Sequence, residues 1–270
     1  MNDVDFDPIK YYDSYPTKVI GRPGYPARAA FKSALLWKLY GERLLAELKQ
    51  INSYADIGGC FGFGANAMAF HIFQRQGVRP RTAVYEISPG FVEIGKALFP
   101  EIEFIQRNFA AETGSAEIHD LVTLVDVVEH IVGPDAFLQS VATRARYVML
   151  KTPMETTGDW RGNKPPALKG EEHPDGHVNF FSPAAYEKLL RTNGLDIIDS
   201  DLLSSIIPVQ AEMALIPESP QPSFRQLVGS PKRLVAMALR KLPGVSWQLK
   251  RKILSGGEHL CLCRSRLVPR

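Results

Sequence analysis

The chain has 270 residues, a net charge of +3, and 45% hydrophobic against 23% charged residues, enough apolar content to bury a full α/β core in one domain with a small accessory region. A charge balance so close to neutral argues against a nucleic-acid wrap, three cysteines are too few and too unevenly spaced for a disulfide framework, and no run is long and apolar enough to span a bilayer. Residues 1–12 are acidic and polar and lack the apolar core of a secretion signal, so a cytoplasmic protein is the expectation.

In chain order, residues 11–26 set Tyr11, Tyr12, Tyr15 and Tyr25 among Pro16, Pro23 and Pro26, a pattern that fits neither a regular helix nor a central strand. Residues 26–49 carry Phe31, Ala34, Leu35, Leu39, Leu45 and Leu48 at a roughly helical period and predict a long helix covering the flank of a sheet. Arm and helix together make up residues 1–50, and the main domain is expected over residues 51–266. An apolar approach to Asp56 predicts a buried parallel strand. It is followed by four glycines in seven positions, Gly58, Gly59, Gly62 and Gly64, and by a helix-forming run over 65–73. Further strands are predicted over 82–87, over 102–105, and from His119 to an Asp126-Val-Val-Glu129-His130 ending. A helix over 134–142, a strand over 147–151 and a helix over 184–192 follow, the last with Ser182 as N-cap and Pro183 at its first position. Strands over 195–200 and 258–263 complete the pattern, and Cys261 and Cys263 on one face of the last strand read as a buried pair rather than a metal site. This alternation predicts an α/β fold: a doubly wound, mostly parallel seven-stranded sheet with helices on both faces, binding ligands beyond the carboxyl ends of its strands.

Two segments exceed what connections need. Residues 152–181 are long and polar and include Trp160, Arg161, Glu171, Glu172, His173, Asp175 and His177, the composition of an acceptor-binding lid at the rim of the sheet. Its carboxylates and imidazoles are metal donors by type, but they have no recognised ligand spacing, and no residue is assigned to a metal. The insertion over 203–257 holds eight Lys or Arg and no acid between residues 221 and 257. Within it Lys232, Arg233, Arg240 and Lys241 face away from Leu234, Val235, Ala238, Leu239 and Leu242 on one helix. Such a basic amphipathic segment, 225–252, suits an anionic membrane surface or an anionic substrate, while the plainer account is the solvated face of a packed helix. Residues 267–270, Leu-Val-Pro-Arg, match the left half of a thrombin site and are read as a tag remnant.

The glycines read G-G-x-x-G-x-G directly behind Asp56, not the G-x-G-x-x-G of a dinucleotide loop. The segment resembles motif I of the class I S-adenosylmethionine (SAM)-dependent methyltransferases, in which an acidic residue leads into G-x-G-x-G. Gly58 and Gly62 fall on the outer glycines of that pattern and Cys60 replaces the middle one. Later stations resemble the family in order: Glu86 at the end of the second strand, Asn108 after the third, and the D-x-x-E-H element after the fourth. The resemblance implies a Rossmann-like fold with SAM as cofactor, held by Asp56, Gly58, Gly59, Gly62, Glu86, Ile87, Asn108, Phe109, Asp126 and Val127. In the family the acid at Glu86 takes the ribose hydroxyls and the residue at Asn108 faces the adenine amino group. His177 to Pro183 also resembles the H-x-x-x-F-S-P start of the last helix in members that methylate small molecules, quinones and sugars.

For a hydroxyl acceptor, a base near neutrality helps, and His177 and His173 in the lid, then His130, are the candidate catalytic residues. The expected activity is O-methylation of a small molecule or saccharide. N-methylation of an amino sugar or other amine, and a nucleotide-binding scaffold without transferase activity, stay open, as does a homodimer.

Overall fold

A computed structural model describes residues 24–111, 117–154, 176–203 and 257–269. The arm before Gly24, lid residues 155–175 with His173, and the basic insertion from 204 to 256 lie outside the described residues. The elements are α1 (Tyr25–Glu47), β1 (Ser53–Ile57), α2 (Phe63–Gln76), β2 (Arg81–Glu86), α3 (Pro89–Leu98), β3 (Glu103–Gln106), β4 (His119–Val125), α4 (Pro134–Arg144), β5 (Ala145–Met154), α5 (Pro183–Thr192), β6 (Leu195–Leu203) and β7 (Gly257–Ser265), with short 3₁₀ turns at Phe109–Ala111 and Val128–His130.

The strands form one sheet in the order β3-β2-β1-β4-β5-β7-β6. Strands β1 to β5 pair in parallel, and β7 runs antiparallel between β5 and β6. Chain order therefore reverses between β1 and β4, where a doubly wound sheet opens a crevice at its carboxyl edge. Alternate residues of the central strands enter two cores, which is why these strands read as continuous apolar runs. Tyr54, Val84, Leu121 and Met149 pack with Leu35, Leu36 and Leu44 of α1 and Met68 and Ile72 of α2. Ala55, Ile57, Val122 and Leu124 pack on the other face with Leu138 and Val141 of α4 and Tyr186 and Leu190 of α5.

Among the described residues the predicted strands and helices are present, with ends shifted by a few residues, while the predicted basic helix around residues 231–242 lies outside them. Helix α1 covers the face of the sheet over β5 and β7 rather than its flank, and its Tyr40 hydroxyl donates to the Leu260 carbonyl at 2.9 Å. Helix α2 begins two residues before the predicted run, because Gly62 at φ 83° turns the chain directly into it. Helix α3 carries the link from β2 to β3 and escaped the pattern reading; its Gly95 lies so close to Phe104 that a Cβ there would come within 2.2 Å of the ring. The Ser182 hydroxyl caps α5 by accepting from the Ala185 amide at 3.3 Å, with Pro183 in the first turn. Cys261 and Cys263 are buried free thiols with sulfurs 3.7 Å apart. Beyond β7, the Leu267 amide donates to Ser265 Oγ at 2.9 Å and Val268 is buried. Among the described residues no helix is long and apolar enough to cross a membrane.

Candidate active site

Asp56, the penultimate residue of β1, is buried beneath the glycine loop and not at its surface. Thr123 Oγ1 of β4 donates to its Oδ1 at 2.6 Å, and a Cβ on Gly59 would lie 2.8 Å from its Oδ2. Burial lifts the Asp56 carboxyl to about 7, against the Thr123 hydrogen bond and with help from the charge of Glu86. Gly58 and Gly62 both take left-handed angles, φ 69° and 83°. At Gly58 a Cβ would meet Val127 Cγ2 at 2.9 Å, and at Gly62 it would meet Phe104 at 2.6 Å, so both positions need glycine for conformation and for space. Cys60 adopts the left-handed φ of 49° despite its side chain, at the steric cost a Cβ brings in that region. The first amides of α2 follow without a side-chain cap, facing the loop with the positive end of the helix. Tyr25, the part of the aromatic arm that is described, stacks edge-on against Phe61 and Phe63 at 5.7 and 6.3 Å.

Glu86 ends β2 with both carboxylate oxygens on backbone amides. Oε1 accepts from Ile87 at 2.7 Å and Ser88 at 3.0 Å, and Oε2 accepts from Cys60 at 3.1 Å. These bonds tie the glycine loop to β2, and a carboxylate has lone pairs left for ligand hydroxyls. Burial nevertheless raises its pKa, the three amides countering only in part. Asn108 Oδ1 accepts from the Ala110 amide at 3.0 Å in the turn after β3. The Phe109 ring is buried, 4.8 Å edge-on from Tyr85 and under the Arg144 guanidinium, so whatever Phe109 gives a ligand comes from its backbone.

Beyond β4, Asp126 sits at φ 56° between two ammonium groups. Lys151 of β5 donates to Oδ1 at 2.7 Å and Lys32 of α1 to Oδ2, and Lys151 also meets Glu258 of β7 at 2.9 Å. Burial works against the charge of Asp126, but the Lys151 and Lys32 charges outweigh it and hold the carboxyl well below the usual range. The next turn carries Glu129, 1% exposed, and His130. Burial, then the charge of Asp126, pushes Glu129 well above the carboxylate range. The segment before α5 docks on this turn: the Val178 and Asn179 amides donate to the Glu129 carbonyl at 2.9 and 3.0 Å, and the Asn179 side chain donates to the Val128 and Ile131 carbonyls at 3.1 and 2.6 Å. His177 thereby arrives 4.8 Å, ring centre to ring centre, from His130.

A family model described as a methyltransferase domain matches residues 33–200, more than half of the chain. The chain belongs to the class I SAM-dependent methyltransferases. No curated protein matches its sequence. Among solved structures, this methyltransferase is similar to the magnesium protoporphyrin IX methyltransferase of Synechocystis PCC 6803 with bound SAH, at 17% identity and TM-score 0.52, covering 73% of this chain and 91% of that one. It is similar to coclaurine N-methyltransferase bound to N-methylheliamine and SAH, at 13% identity and TM-score 0.53, covering 86% and 72%. It is also similar to the [4+2]-cyclase SpnF, at 13% identity and TM-score 0.54, covering 87% and 82%. Neighbours with such different names fix the fold and leave the acceptor to the site itself.

The methyltransferase's residues fit a nucleoside cofactor. Glycines leave backbone exposed where Cβ atoms would clash, uncapped helix amides adjoin them, and an anchored carboxylate stands at the end of the neighbouring strand. Of the residues expected at the rim, Gly58, Glu86, Asn108, Val127, His130 and His177 lie at the carboxyl ends of β1 to β4 or on the segment docked there. Four contributors escaped the sequence reading: Lys32, Thr123, Lys151 and Asn179. Only Asn179 carried a signal, its place inside the H-x-x-x-F-S-P pattern.

Proposed function

We propose that this methyltransferase O-methylates a small molecule or saccharide, with the acceptor hydroxyl held and deprotonated beside Glu129, His130 and His177. The observation that carries this reading is the meeting of His130 and His177 at the rim next to the glycine loop: Val127, three residues before His130, closes on Gly58. SAM, when bound, supplies an electrophilic methyl group on a sulfonium. The residues proposed to hold it are Gly58, Gly59 and Gly62 through their backbone, Glu86 on the ribose, and Asn108 with the backbones of Ile87 and Phe109 around the adenine. Asp56 lies beneath the loop, bonded to Thr123, and Asp126 is held in the β4 turn by Lys32 and Lys151. Methyl transfer is an in-line displacement, so the protein's main tasks are to align acceptor and donor and to exclude water. The hydroxyl proton leaves at the cluster, where imidazoles are the groups that exchange protons near neutrality. Three free thiols suit a reducing compartment, and a cytosolic location is part of the proposal.

Calorimetric titration with SAM tests the cofactor assignment. Glu86→Ala should weaken binding by about 1.5–3 kcal/mol, roughly 10- to 150-fold, the worth of hydrogen bonds to a charged group; unchanged affinity would sink it. An acceptor screen with sugars and phenols then reads the atom modified by product fragmentation, and a methyl group on nitrogen would replace the oxygen reading.

A further inference from the structure

Glu129, His130 and His177 offer one carboxylate oxygen and two imidazole nitrogens that all lie within 4.8 Å of one another. Glu129 is 1% exposed, and neither of its carboxylate oxygens meets a hydrogen-bond donor among the described residues. Leaving a buried carboxylate in that condition is costly unless a cation or donor completes it. Asp126 does not share this condition, since Lys32 and Lys151 already hold its two oxygens. His130 Nδ1 lies 3.2 Å from the Gly176 carbonyl, which can only accept, so Nδ1 carries the proton and the neutral ring has its lone pair on Nε2. A backbone carbonyl on the far nitrogen is the usual orienting partner of a metal-ligating histidine. The two loops that carry the donors are fixed to each other by the Val178, Asn179 and Glu129 backbone bonds and by the Asn179 side chain.

We infer that Glu129, His130 and His177 bind one divalent transition-metal ion. Two nitrogens and one carboxylate suit Zn(II), Mn(II), Fe(II) or Co(II) rather than Mg(II) or Ca(II), which take oxygen donors. Two donors at about 2.1 Å from one ion are at most about 4.2 Å apart, so a pair at the 4.8 Å limit closes by about half an ångström or more on binding. Three protein donors leave coordination positions open, and an acceptor hydroxyl on one of them would have its pKa lowered and would release its proton to water, the imidazoles serving as ligands in place of the base role they hold without the ion. The placement of the ion on the acceptor side rests on the methyl-transfer reading; its binding does not.

The test is titration of the chelator-stripped full chain with Co(II), followed by visible absorption and metal analysis, with SAM calorimetry on the same samples. Expected are about one Co(II) per chain without thiolate charge-transfer bands, and at least ~10-fold weaker binding in Glu129→Gln and in His177→Asn, both still binding SAM as proof of folding. Absence of Co(II) binding at millimolar concentration, or equal affinity in both variants, would overturn the site. A chain that binds SAM but not Co(II) removes only the metal, and one that binds Co(II) but not SAM removes only the methyl-transfer reading.

Discussion

Asp56 is a carboxyl group enclosed by protein, lifted by burial from 3.8 to about 7. The folded chain therefore keeps a proton there that the unfolded chain releases. Where the native state binds more protons, stability falls as pH rises. The contribution is complete below the unfolded value and is lost as pH passes through about 7, an effect of at most about 4 kcal/mol. Asp56→Asn keeps an oxygen for Thr123 and removes the charge. The difference in melting temperature, variant minus wild type, should grow from about pH 5 to pH 8; a difference independent of pH would show that Asp56 ionises in the fold without penalty. Cys60 makes a related point about identity at a single position, since its φ of 49° lets a non-glycine residue complete the turn.

Among the elements, the docking of the 176–181 segment on the Val128–His130 turn brings the two histidines together. Neither segment is long enough to hold a shape alone, and Asn179 supplies the joint by donating to two carbonyls of the other loop. Asn179→Ala takes one donor from each carbonyl, leaving Val128 with the Ile131 amide at 3.3 Å, and should cost about 1–3 kcal/mol. Because the glycine loop and Glu86 are untouched, SAM affinity should stay within about twofold while turnover falls at least ~10-fold, the sensitivity expected when a reacting group loses its alignment. Equal losses in SAM affinity and turnover would show that the segment only supports the fold.

At the scale of the whole molecule, one ionic chain links four elements: Lys32 of α1, Asp126 after β4, Lys151 of β5 and Glu258 of β7. Its members lie far apart in sequence: pairing of β4 with β5 brings Asp126 to Lys151, α1 brings Lys32, and Glu258 joins when β7 inserts beside β5. Lys151 is 3% exposed at its side chain, while its partners Asp126 and Glu258 are 24% and 27% exposed, so removing it takes a shared cation from two partly solvated carboxylates. Lys151→Met, similar in volume, should lower stability by about 1–3 kcal/mol, measured by denaturant unfolding, because the carboxylates lose a charged hydrogen-bond donor that hydrophobic packing does not replace. A neutral result would mean that Lys32 alone suffices for Asp126.

The sequence by itself determined the layers, the parallel strands and the cofactor loop, because hydrophobic periodicity, glycine clustering and caps are local properties that act before any long-range contact forms. Asp56, Glu86 and the D-x-x-E-H element were legible through their order and its resemblance to the methyltransferase motifs, and the Ser182 cap as a local signal. Helix α3 was less so, because its short apolar face merges with the Pro89 and Gly90 turn signals before it. Tertiary structure alone decided that α1 lies over β5 and β7, that Lys32 and Lys151 flank Asp126, and that His177 stands beside His130. Those contacts join residues between 25 and 220 positions apart, and nothing in a local pattern encodes a partner at that distance until the sheet order sets which strand ends become neighbours.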